Sequence, residues 1–301
     1  MFYQNKKENA IEPFDVKQGG LSFSFMMAVY VIIAFFVQAI LQVVTEDTSV
    51  LYLAICSILS PLAIAGLIVY QCFFKNQTIK ILSINKFKVA SLLPTLLLCL
   101  GMFLGLGFVN LKFSQIMADL GVKIPQTTIP LHNFGQFLLF TLTLAILPAI
   151  FEELFFRGLL LNSLDGHGTI KKVIAVGLCF ALYHCNLGQF IYQFIYGVAF
   201  CLLALYAKSV IPCIIAHFIN NFVIILCEYL GIYIDLFNPV LIVIGLVALV
   251  AFFVITCVLN KKNVKKESQG QTNNKILEFY LPYGLLGIFI CALMIITSLF
   301  M

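Results

Sequence analysis

Charge is what this sequence has least of. Lys and Arg number 18 and Asp and Glu 13 among 301 residues, 10% in all, where a soluble domain carries about 25%. With 62% hydrophobic residues and a mean hydropathy of +1.05, so few charges cannot cover a soluble surface, and disorder is excluded by the same composition. No C-x-x-C pair occurs among the ten cysteines, and all of them fall in or at the ends of apolar runs, so they read as small hydrophobes rather than a disulfide framework. The helical zinc-protease signature H-E-x-x-H is missing, and so is a G-x-S-x-G serine elbow. What remains is one polytopic membrane domain over residues 1–301.

What the chain does have is long uncharged runs. Stretches without Asp, Glu, Lys or Arg cover 18–45, 48–74, 89–111, 124–151, 173–207, 209–227, 236–260 and 279–301. A spanning helix needs about 20 apolar residues, so seven of the stretches read as one span each. The stretch 173–207 is too long for one span and short for two. The first stretch starts too late and runs too long for a signal peptide. The expected fold is an all-α polytopic membrane protein with about eight to nine transmembrane helices around a polar intramembrane cavity.

Orientation follows from the basic residues. If 173–207 crosses twice and the N-terminus is cytoplasmic, fifteen of the lysines fall inside and only Lys112 and Lys123 outside. The C-terminus is then outside the cell membrane. The net charge of +5 is accounted for by this inside excess facing an anionic leaflet, and no nucleic-acid partner is needed. The run Lys261–Lys275 reads as a solvated cytoplasmic loop.

Ionisable groups inside a span are costly and mark function. Here they are Glu152, Glu153, Arg157, His184, His217 and Glu228, with Asn186, Gln189, Gln193, Asn220 and Asn221 as polar companions; His132 and His167 fall at loop positions. In the run from Phe151 to Gly158, Glu153 and Arg157 are i and i+4 and can pair on one face, while Glu152 points about 100° away and is left free. Pro148, four residues before Glu152, removes a backbone hydrogen bond beside the site. The polar string from His184 to Gln189 interrupts the run 173–207 and predicts a broken helix or hairpin with both ends inside, tolerated only where protein or a cavity surrounds it. His217 and Asn221 are i and i+4 on a third helix, with Asn220 pointing elsewhere.

Two His and one Glu are a familiar zinc set, here Glu152, His184 and His217, with water at the open position. A Glu can equally activate water without metal while His and Asn donate to an oxyanion. Either chemistry hydrolyses an amide. The plainer alternative is a charge and hydrogen-bond network that locks helices together.

Glu152-Glu153-x-x-x-Arg157, Phe180-x-x-x-His184 and His217-x-x-x-Asn221 together resemble the three ordered motifs of the CPBP family, the CAAX protease and bacteriocin-processing family of intramembrane endopeptidases. The resemblance covers roughly residues 130–230, the expected catalytic core. It implies that Glu152 is the base that activates water and that Arg157 is structural support. It assigns His184, His217 and Asn221 to the water and oxyanion site, with Glu153 paired to Arg157 within the same catalytic set. It implies either zinc or no metal, and a membrane-associated peptide or lipidated protein as substrate, in peptide maturation or bacteriocin immunity. Two other classes compete. A non-catalytic binding or immunity protein would hold a ligand in the same polar cluster, and a proton-coupled transporter would use the Glu and His as relay residues, although only one broken segment is present.

Overall fold

The computed structural model describes residues 14–44, 49–74, 79–121, 129, 131–267 and 279–300. Lys6, Lys7, Lys75, Lys123 and Lys275, used above for orientation, lie outside the described residues. Among the described residues the fold is entirely helical, without strands. We number nine helices: α1 (Val16–Val44), α2 (Ser49–Val69), α3 (Val89–Asp119), α4 (Phe134–Ser163), α5 (Thr169–Tyr183), α6 (Phe190–Ala207), α7 (Ile211–Leu230), α8 (Pro239–Glu267) and α9 (Leu285–Phe300).

Seven helical segments are long and apolar enough to cross a membrane, taken from α1, α2, α3, α4, α6, α7 and α8. The protein is a multi-pass membrane protein. α5 and α9, at 15 and 16 residues, are shorter. The stretch 173–207 is two helices: α5 and α6 pack against each other as a hairpin joined by residues 184–189. The sequence dictates the break, because Asn186 folds its side chain back to accept from the Gly188 amide at 2.9 Å, a turn that competes with helix continuation. α8 continues as helix through Glu267, so the first part of the segment read as a solvated loop is helical. Lys, Asn and Glu are compatible with helix, and no Gly or Pro interrupts before Gly270.

Small residues set the closest helix approaches. A Cβ on Gly245 would collide with the backbone nitrogen of Gly105, so α3 and α8 meet backbone to backbone, with Gly101 facing Leu249 one turn away. The Gly101-x-x-x-Gly105 face is thus used for packing within the chain. At the α5–α6 crossing, a Cβ on Gly197 would sit 2.8 Å from the Gly177 Cα. None of the ten cysteines, all within the described residues, is in a disulfide.

Candidate active site

α4 begins with a reciprocal cap. The Asn133 side chain accepts from the Gln136 amide at 2.9 Å, and the Gln136 side chain accepts from the His132 amide at 2.7 Å. The helix then carries two wide π-helical turns, Thr141–Ile146 and Leu154–Leu160, on either side of the segment with Pro148, Glu152 and Glu153. Such turns inside α-helices are frequent at functional sites. Proline has no N–H, so the carbonyl of Leu144 loses the partner that residue i+4 would give it. The side-chain amide of Asn221 on α7 donates to that carbonyl at 2.8 Å. A defect in one helix is thereby repaired by a motif residue of another.

The two glutamates have different fates. Glu153 is fully buried and its Oε1 accepts from Arg157 Nη1 at 3.0 Å and from His217 Nδ1 at 2.8 Å. Arg157, also buried, donates its Nη2 to the Gly197 carbonyl at 3.3 Å. Its guanidinium carbon lies 4.3 Å from the Phe180 ring centroid and 5.0 Å from that of Phe200. Paired with Glu153 on its own helix, this one cation ties α4 to α6 by a hydrogen bond and to α5 and α6 by cation–π contacts. Glu152 has no charged partner within hydrogen-bond reach among the described residues. Its Oε1 accepts from the Tyr183 hydroxyl at 3.1 Å, and its Oε2 has no partner among the described residues. The Tyr183 hydroxyl is in turn hydrogen-bonded to Ser60 of α2.

A cavity of about 190 Å³ opens beside Glu152. Leu144, Pro148 and Glu152, spaced i, i+4 and i+8, present one face of α4 to it, and His184, His217 and Asn221 join them from the hairpin turn and α7. His184 lines the same cavity although it follows the last residue of α5, because the chain turns there. Asn220 lines the cavity beside Asn221 and donates to its Oδ1 at 3.1 Å, contrary to the expectation that it points elsewhere. The cavity spans enough of the α7 circumference to meet both amides. Tyr192, Gln193 and Tyr196 of α6 complete the wall. Glu153 and Arg157 are behind it. Glu228 is exposed in the last turn of α7, just before the left-handed cap Gly231, and takes no part. His132 and His167 are in non-helical segments, away from the cavity lining.

Both motif histidines have one ring nitrogen committed. His217 Nδ1–H donates to the Glu153 carboxylate, and His184 Nδ1–H donates to the Phe180 carbonyl at 2.8 Å. Each imidazole thus keeps Nε2 for other bonds. Fixing Nδ1 in this way is also how metal-binding histidines are oriented. Among the described residues, however, no three His, Cys, Asp or Glu side chains gather as a ligand set for a metal ion. As folded, Glu152, His184 and His217 do not make a zinc cage, and no step below is routed through a metal.

A second cavity, of about 460 Å³, shares Leu144, His184, Tyr192, Gln193, Asn220 and Asn221 with the first. It extends past Met102, Phe103 and Leu111 of α3 to Ile224 and Ile225 of α7, with Asn110 and Gln189 as polar points. The two lie side by side on these shared walls, the smaller more polar and the larger more apolar.

Sequence reasoning located the charged and histidine residues but not Tyr183, Ser60, Tyr192 or Tyr196. Tyr183 stands beside His184 and reads as one more core aromatic. No curated protein and no solved structure matches the chain. Residues 134–223, under a third of the chain, match the family model described as type II CAAX prenyl endopeptidase Rce1-like. The match runs from the start of α4 to the middle of α7 and includes every residue of the three motifs. Residues 134–223 are thus similar to an Rce1-like domain, the family-model match to the CPBP family falling on the segment that carries the three motifs.

Proposed function

We propose that this protein is an intramembrane endopeptidase in which Glu152 activates water against a peptide carbonyl. The observation that carries the reading is the division of labour between adjacent glutamates. Glu153 is ion-paired through Oε1 to Arg157 and His217 behind the cavity, whereas Glu152 lines the cavity and is held by the Tyr183 hydroxyl alone; Oε2 of each has no partner among the described residues. A family of CAAX prenyl endopeptidases supports the reaction class at the level of the family.

In this reading the water sits in the smaller cavity, between Glu152 Oε2 and the Nε2 atoms of His184 and His217. Glu152 takes one proton as the water oxygen bonds to the carbonyl carbon. The resulting oxyanion accepts from the side-chain amides of Asn220 and Asn221, which are held in place before substrate arrives. Collapse of the tetrahedral adduct breaks the C–N bond, and Glu152 returns its proton to the leaving amine. One water is consumed, and one carboxylic acid and one amine are formed. Arg157 stays outside the reaction as the support that fixes Glu153 and, through it, His217.

The substrate class in this reading is a membrane-associated peptide or lipidated protein. The larger cavity supports it, because a mostly apolar wall with a few amides suits an apolar or lipid-bearing segment whose backbone needs hydrogen bonds. The catalytic core is residues 130–230. The N-terminus is cytoplasmic and the C-terminus outside. Lys171 and Lys208, at opposite ends of the α5–α6 hairpin, then fall on the same, inner side. Reporter fusions at residue 301 test that orientation, and an inside-active reporter there contradicts it.

The test is cleavage of a farnesylated peptide ending in a CAAX sequence by the full chain in liposomes. Wild type is expected to release the C-terminal fragment and Glu152→Gln to release none. Wild-type release by Glu152→Gln would overturn the base assignment.

A further inference from the structure

Glu152 has two carboxylate oxygens, and a base needs only one. The Tyr183 hydroxyl donates to Oε1 at 3.1 Å. Because that proton is committed to Glu152, the hydrogen bond between Ser60 and Tyr183 must run from the Ser60 hydroxyl to the Tyr183 oxygen. The result is a directed chain: Ser60 on α2, Tyr183 at the end of α5, Glu152 on α4. Each link polarises the next.

The ring that carries the central hydroxyl is fixed. Tyr183 is 7% exposed. Its ring meets Phe156 edge-on at 5.3 Å between centroids and His184 edge-on at 5.1 Å. Tyr183 therefore touches the second-motif histidine on one side and holds the first-motif glutamate on the other. Glu152 lines the cavity, and its Oε2, buried and with no partner among the described residues, is the oxygen left for the water.

We infer that Tyr183, oriented by Ser60, is the positioning residue of the catalytic carboxylate: its hydroxyl holds Oε1 so that Oε2 alone meets the water. The inference rests on the reading of Glu152 as base. It assigns Tyr183 no contact with substrate. It also gives α2, which lies outside the segment matched to the family model, a part in the active site.

Tyr183→Phe keeps the ring contacts and removes only the donor. In the full chain in liposomes, this variant is expected to lower kcat on the farnesylated CAAX peptide about ten- to hundredfold, the range for losing a hydrogen bond to a charged group. KM should be unchanged, since the lost interaction acts on the chemical step. Ser60→Ala should lower kcat about two- to tenfold, and should add nothing in the Tyr183→Phe background, because it acts through that hydroxyl. Ser60→Thr restores the hydroxyl and should restore the rate. A second measurement needs no turnover: labelling of Glu152 by dicyclohexylcarbodiimide, mapped by mass spectrometry, should be several-fold faster in Tyr183→Phe than in wild type. Equal labelling in the two proteins would overturn the inference. So would wild-type kcat in Tyr183→Phe beside an inactive Glu152→Gln. If instead Glu152→Gln turns over like wild type, the base assignment falls, and the labelling comparison alone decides whether Tyr183 holds the carboxyl group.

Discussion

Asn221 and Pro148 are linked through a single oxygen: the Leu144 carbonyl, deprived of a helical N–H by Pro148, accepts the Asn221 side-chain amide at 2.8 Å. The third motif is thus bolted to the first at the point where the first motif's helix is weakest. The same amide group lines the cavity, so Asn221 serves both the backbone of α4 and, in the proposed reaction, the oxyanion.

That double use makes a coupling measurable. Asn221→Ala leaves the Leu144 carbonyl short of a partner and should cost about 1–3 kcal/mol of stability. Pro148→Ala restores the backbone N–H to α4. In the Pro148→Ala background, Asn221→Ala should therefore lose much of its effect on thermal unfolding in detergent while remaining defective in cleavage. Equal destabilisation in both backgrounds would show that the amide does not answer the proline.

The Glu153–Arg157 pair should behave as a buried ion pair with no exit. Arg157→Met alone leaves a buried carboxylate uncompensated, a change that typically costs about 3–5 kcal/mol. Adding Glu153→Gln should recover a large part of that loss, because the charge to be compensated is gone. Thermal unfolding of the two single variants and the double variant reads the recovery. A double variant as unstable as the sum of the two single ones would contradict the pairing.

How far the sequence reached depends on whether an interaction is local. Glu153 and Arg157 are four apart on one helix, and their pairing could be read from helical geometry alone. So could the break at His184–Gln189, because a polar string in an apolar run cannot continue a lipid-facing helix. The Tyr183–Glu152 bond joins residues 31 apart through the docking of α5 on α4, and no periodicity encodes that. Ser60 was hidden in the same way, since a hydroxyl in a span ordinarily bonds back to its own helix. His217 was expected at the water site. It does line the cavity, but its Nδ1 serves Glu153, a link across helices that makes it part of the charge network as well. Glu228 looked intramembrane by sequence count, and is exposed because α7 ends two residues later at Leu230.

Because no step of the proposed reaction runs through a metal, protein purified in detergent should carry far less than one zinc per chain, and a chelator should leave peptide cleavage unchanged. Elemental analysis and a chelator titration check this. Stoichiometric zinc lost together in His184→Ala and His217→Ala would show that the two imidazoles converge on a metal and would replace Glu152 Oε2 with a metal as the centre of the site.

The most direct test of the account compares the two neighbouring carboxylates. Glu152→Gln and Glu153→Gln, in otherwise identical full-length protein, are assayed for release of the C-terminal fragment of the farnesylated CAAX peptide and for thermal unfolding. The account predicts that Glu152→Gln melts near wild type and releases no fragment, whereas Glu153→Gln loses stability because Arg157 is stranded. A Glu152→Gln protein that cleaves at the wild-type rate would contradict it.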